Sequence, residues 1–106
     1  MTKSFRLAVG TMLMGCFAVA ALAENTAAND FKLKCAACHG ADGTAQTPMG
    51  RTKKIASLKD PSMIKLTDQQ LFDSTKNGKN TMPAYAGKLT DAQITDIVAY
   101  MRTLQK

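Results

Sequence analysis

The sequence predicts an all-α fold of three to four helices joined by long loops, and three observations carry that prediction. Two capping boxes, Thr67 with Gln70 and Thr90 with Gln93, each open a run of helix-spaced apolar residues. No stretch sustains the period-two alternation of a half-buried strand. Length sets the scale: 106 residues, 45% hydrophobic and 21% charged, describe one globular domain and exclude a disordered or collagen-like chain.

The elements follow in chain order. Residues 1–23 form a secretory leader, with cationic Lys3 and Arg6, apolar Leu7 to Ala20, and the small-x-small exit Ala21-Leu22-Ala23 before polar Glu24. A retained anchor helix fits less well, because the apolar stretch is short. Leu13-Met14-Gly15-Cys16 imitates a lipoprotein processing site, but Met14 suits that pattern poorly. Cleavage after Ala23 leaves one domain over 24–106. Lys3 and Arg6 go with the leader, so the formal charge of +6 falls to +4, and of three cysteines Cys35 and Cys38 remain. So short a chain buries a small fraction of its surface, and something else must supply apolar bulk or a covalent staple.

Ala27 to Lys34 is helix-compatible, with Phe31 four residues after Ala27 and Cys35 four after Phe31. His39-Gly40-Ala41-Asp42-Gly43 ends it, Gly40 being suited to a C-terminal cap. From Thr44 to Lys65 the pattern is irregular, with Ile55, Leu58, Met63 and Ile64 as buried candidates. A helix is expected from the Thr67 cap to Lys76, burying Leu71 and Phe72 and stopping at Asn77-Gly78. Lys79 to Lys88 is a loop. The last helix has the clearest stripe: Ile94, Ile97, Val98, Met101 and Leu104 at i, i+3, i+4, i+7 and i+10. Loops this long in so small a domain indicate a chain that wraps around something.

That something is named by Cys35-Ala36-Ala37-Cys38-His39, the C-x-x-C-H pattern of c-type haem attachment. Two thiols about one helical turn apart can add across the two haem vinyl groups, and the adjacent imidazole then falls under the iron as an axial ligand. The competing readings each lack a part. A thioredoxin-like dithiol needs strands, and a structural zinc site needs a fourth Cys or His that the chain does not have. A plain Cys35–Cys38 disulfide leaves His39 and the wrapping loops unexplained.

His39 is the only histidine, so the second axial position is filled by a methionine or a lysine or is left open. The thioether candidates are Met49, Met63, Met82 and Met101. Met101 lies on the packing stripe, Met63 lies among Leu58, Ile64 and Leu66, and Met49 follows His39 too closely to reach the other face easily. Met82 stands in a loop directly before Pro83, which restricts its backbone to extended conformations. Met82 is therefore the expected ligand.

As a set, Phe31, Cys35-Ala36-Ala37-Cys38-His39-Gly40, Asn77-Gly78-Lys79-Asn80-Thr81-Met82-Pro83-Ala84-Tyr85 and Ile97-Val98-Ala99-Tyr100-Met101 resemble the small class I c-type cytochromes of the bacterial periplasm and the algal c6, bacterial c553 and c555 types. The resemblance spans essentially all of 24–106. It implies the class I cytochrome c fold around one covalent, His/Met-ligated haem c, and an aromatic pair, Phe31 with Tyr100, where the first and last helices cross. Ala27 stands where that family often has Gly, which widens the crossing. Pro48 resembles the proline whose carbonyl accepts the axial histidine's N–H, here from His39. The Trp that some relatives place near the propionates is absent, leaving Arg51 and Tyr85 as candidates there, though both also read as surface residues.

With both axial positions filled, the expected function is one-electron transfer outside the cytoplasm, not catalysis on a bound substrate. The expected location is the periplasm, or a thylakoid lumen if the pathway is photosynthetic. Two other classes stay open: a haem enzyme or gas sensor with a displaceable sixth ligand, and a non-haem dithiol protein. Lys32, Lys34, Lys53, Lys54, Lys59, Lys65, Lys76, Lys79, Lys88 and Lys106 suit docking to redox proteins with acidic surfaces, though ordinary solvated charge explains them equally. Nucleic acid does not suit an exported haem protein as a partner. A monomer without stable membrane insertion is expected.

Overall fold

The computed structural model describes Gly10 and residues 16–106. The expected leader's Lys3 and Arg6, and Leu13-Met14-Gly15 of the lipoprotein-type pattern, lie outside the described residues. Six helical segments follow in order: α1 (Cys16–Lys34), α2 (Ala36–His39), α3 (Pro48–Thr52), α4 (Pro61–Ile64), α5 (Asp68–Asn77) and α6 (Asp91–Leu104). Among the described residues no strand forms; two isolated bridges, Lys79 with Met82 and Ala86 with Leu89, are the only β-type pairings.

The two capped helices form as their sequences require. Thr67 accepts the N–H of Gln70 while the Gln70 side chain accepts the N–H of Thr67, and Thr90 and Gln93 repeat the arrangement. Each box satisfies donors that a helix start leaves without partners. Gly78 ends α5 and Gly40 ends α2.

Three expectations need correction. α1 spans Cys16–Lys34, so it extends upstream of the helix-compatible stretch from Ala27 and through the Ala23–Glu24 junction, the added segment being Ala-rich with high helix propensity. The stretch 44–65 is not wholly irregular. Pro48 and Pro61, read above as punctuation, each occupy a helix start, where the missing N–H costs nothing, behind Thr47 and Asp60 caps. Ile64 is exposed rather than buried, since it ends the single turn of α4 on its outer side, whereas Leu58 is buried.

The core is the side of α6 that carries Ile94, Ile97, Val98 and Met101, packed with Ala27, Phe31 and Cys35 from α1, Leu71 from α5, and Leu58 and Leu89 from the loops. α6 contacts both α1 and α5. At the α1–α6 crossing Phe31 and Tyr100 meet edge to face, with centroids 5.4 Å apart and planes at 61°. Ala27 is buried there.

One device was not foreseen. Arg102 of α6 donates to the Ile64 carbonyl at 3.3 Å and to the Leu66 carbonyl, and pairs with Asp68 at 2.9 Å. A single guanidinium thereby satisfies the free carbonyls after α4 and fixes the start of α5 against α6.

Candidate cofactor site

The C-x-x-C-H motif sits where α1 gives way to α2. Cys35 still bonds back into α1, its N–H reaching the Phe31 carbonyl at 2.8 Å, while the N–H groups of Cys38 and His39 both turn to the Cys35 carbonyl, at 3.2 and 2.9 Å. The motif is therefore one tight turn budding from the end of a long helix. Cys35 is buried and Cys38 partly exposed, and neither forms a disulfide.

The segment after the motif locks this turn in place. The Ala45 N–H bonds the His39 carbonyl at 2.7 Å, and Thr47 Oγ1 donates to the Cys38 carbonyl at 3.1 Å while accepting the Gly50 N–H. Gly50 has no alternative: a Cβ there would overlap the carbonyl oxygens of Ala45 and Cys38. α3 can pack this closely on the motif only because that position is bare.

Behind the motif lies a partly open cavity of about 380 Å³. Phe31, Cys35 and His39 line it from the motif side, and Lys79, Asn80, Thr81 and Met82 from the loop after α5. Its floor is apolar, with Leu58, Met63, Leu66, Leu71 and Met101. Of the four methionine candidates, Met82, Met63 and Met101 reach the cavity. Met49 does not, and is exposed on α3. Met101 also belongs to the packed core, whereas Met82 stands in a tight turn in which Lys79 and Met82 exchange backbone bonds of 3.1 and 2.9 Å.

Burial sets the electrostatics. Desolvation pushes the Cys35 thiol up to about 11, with Asp30 adding to the effect, and holds the His39 imidazole below its ordinary value. A neutral imidazole is the form that binds a metal. His39 Nδ1 is buried and makes no hydrogen bond within the chain. An imidazole so placed beside an apolar cavity, with the Cys35 thiol and the Met82 thioether also lining it, suits a large apolar group bearing a metal ion; Cys38, one residue before His39, does not itself line the cavity.

The other sequence-derived candidates are placed differently. Pro48 is the first residue of α3, and its carbonyl accepts from Thr52 Oγ1 at 2.9 Å. The Arg51 guanidinium reaches Gln46 at 3.4 Å, and the Tyr85 hydroxyl donates to the Lys34 carbonyl at 2.8 Å; neither residue lines the cavity. The cations that do line it are Lys53, Lys54 and Lys79. Nothing in the local sequence distinguishes them from the other lysines. Lys54 is singled out only by its backbone, at φ +52.

Residues 22–101 match the family model described as "Cytochrome C oxidase, cbb3-type, subunit III". That span holds the C-x-x-C-H turn, the Met82 loop and most of α6. The chain is 36% identical over 96 residues to cytochrome c6 of Thermosynechococcus vestitus, covering 89% of this chain and 83% of the relative. It is 39% identical to cytochrome c6 of Thermostichus vulcanus, covering 77% and 72%, and 38% identical to that of Synechococcus elongatus, covering 67% and 78%.

Proposed function

The chain belongs to the small class I c-type cytochromes, one-electron carriers with one covalently attached haem c, and we propose which of its residues do that work. Cys35 and Cys38 form the thioether bonds, and His39 and Met82 take the two axial positions of the iron. The observation that carries the assignment is the single apolar cavity that receives Cys35 and His39 from one segment and Met82 from another 43 residues further on. When bound, the haem iron supplies the Fe(II)/Fe(III) couple.

The chain's own residues set how that couple behaves. A thioether from Met82 favours the reduced state, and the apolar floor disfavours the extra charge of the oxidised one, so both raise the potential. Filling both axial positions leaves no place for a substrate, which is why electron transfer rather than catalysis is the proposed activity. Lys53, Lys54 and Lys79, the cations that line the cavity, would be the chain's partners for the haem's propionate carboxylates. Pro48 remains the proposed acceptor for the His39 N–H once the imidazole is held by iron, which requires its carbonyl, now bonded by Thr52, to exchange the Thr52 hydroxyl for the imidazole.

The test is spectroscopic. Purified protein should give the pyridine haemochrome of a haem with both vinyls saturated, together with the weak far-red Fe(III)–thioether band. Met82→Ala should abolish that band and open the iron to carbon monoxide. Wild-type protein that lacks the band and binds carbon monoxide readily would instead be a haem enzyme or gas sensor.

We further propose cleavage after Ala23 and a monomeric working form outside the cytoplasm, in the periplasm or, in a photosynthetic cell, the thylakoid lumen. Among the described residues no helix is long and apolar enough to cross a membrane. The mass of the exported protein decides the cleavage site. The partners are redox proteins with acidic surfaces. Among the described residues only Lys76 and Arg102 form ion pairs, with Asp91 and Asp68, which leaves the remaining lysines available to steer docking. Electron-transfer rates with such a partner should fall steeply with added salt, and salt-independent rates would exclude steering.

A further inference from the structure

The Met82 loop, residues 78–90, is held on one side by α5. The Tyr85 and Ala86 N–H groups bond the Thr75 and Lys76 carbonyls at 3.1 and 3.0 Å. Within the loop, the Lys79–Met82 turn closes on itself, and the Lys88 and Leu89 N–H groups both return to the Tyr85 carbonyl at 3.0 Å. All of these bonds join the loop to its own neighbourhood in the chain.

One bond among the described residues differs. Tyr85 Oη donates to the Lys34 carbonyl at 2.8 Å, a link spanning 51 positions. Lys34 is the last residue of α1 and immediately precedes Cys35. Its carbonyl is one of the acceptors that a helix end leaves open, because the N–H groups of Cys38 and His39 both turn to the Cys35 carbonyl instead. The hydroxyl fills that vacancy. It joins the segment bearing Met82 to the segment bearing Cys35 and His39, from a residue that itself does not line the cavity.

Resting on the assignment of Met82 as the sixth ligand, we propose that the Tyr85 hydroxyl is a positioning group for Met82: by gripping the Lys34 carbonyl it sets the separation of the two ligand-bearing segments and resists withdrawal of the thioether from the iron. Phe31 and Tyr100 hold α1 and α6 together; Tyr85 holds the loop to α1. Only the second contact bears directly on the ligand. It acts through the loop and does not touch the reacting atoms.

The experiment compares wild-type and Tyr85→Phe holoprotein, following replacement of the thioether by added imidazole through loss of the far-red band. Phe keeps the ring and removes only the hydroxyl. Loss of one hydrogen bond should raise the replacement rate about five- to tenfold, at a temperature where far-UV circular dichroism shows both proteins fully folded. Absence of the band in wild-type protein overturns the Met82 assignment itself. A band in both proteins with equal replacement rates overturns the role of Tyr85 alone, even if thermal stability falls. Thr90→Ala, which weakens the α6 cap at the far end of this loop and changes no residue that lines the cavity, should leave the replacement rate unchanged. An equal acceleration in that variant would mean that any loss of stability suffices, and would also overturn the proposal.

Discussion

At the residue scale, the ligand loop is constrained at its start by Gly78. Its φ is +77, and a Cβ there would stand 2.8 Å from the Met82 carbonyl oxygen, 3.0 Å from the Ala84 nitrogen and 3.2 Å from the Pro83 carbonyl carbon. An alanine meets two costs at once: about 1–3 kcal/mol for an extended positive-φ backbone that is essentially confined to glycine, ψ here being 162, and crowding against backbone that cannot rotate away. Any relief has to come from moving the Met82–Ala84 segment. Gly78→Ala should therefore lower the denaturation midpoint of the holoprotein and also weaken the far-red thioether band. A stability loss with the band untouched would show that the loop absorbs the strain without disturbing Met82. The same scale explains what the sequence could reveal of the site. Cys35 and His39, which line the cavity, belong to five consecutive residues whose chemistry can be read together, and Met82, which lines it too, is marked by the Pro83 that follows; Cys38 does not line it. Lys53, Lys54, Lys79 and Thr75 were not legible, because only the path of the chain brings them to the cavity.

At the element scale, legibility tracks how local the determining interaction is. α5 and α6 could be read in advance because each start is fixed by two side chains three residues apart and each buried face by a repeating stripe. Thr90→Ala removes the acceptor for the Gln93 N–H, bonded at 3.1 Å, and should cost about 1 kcal/mol, read as a lower midpoint in chemical denaturation. No change would mean that water replaces the cap without loss. α3 and α4 were missed because a proline that breaks a helix interior and one that starts a helix look alike in sequence; the deciding information is the Thr47 or Asp60 side chain folding over the first turn. The clamp from Arg102 to Ile64 and Leu66 spans 38 and 36 positions, and no periodicity encodes it. The upstream extension of α1 was obscured differently, since an Ala-rich segment that reads as an export leader is also a good helix former.

At the scale of the whole molecule, the core and the cavity share residues. Ile94 and Ile97 are fully buried between helices, and the core residues Leu58, Leu71 and Met101, with partly buried Met63 and Leu66, also line the cavity of about 380 Å³. Apolar side chains that face this space forgo part of the burial that would stabilise the fold, so a group that fills it also adds to stability. α5 meets α1 only through α6, so a group in the cavity would add a direct link between the two sides. The Cys35→Ser/Cys38→Ser double variant, which cannot retain the group covalently, should therefore lose cooperative thermal unfolding and much of its helical circular dichroism. Retention of a sharp transition near the wild-type midpoint would show that α1, α5 and α6 form a self-sufficient core. The 106-residue chain would then need its cofactor for chemistry alone and not for folding.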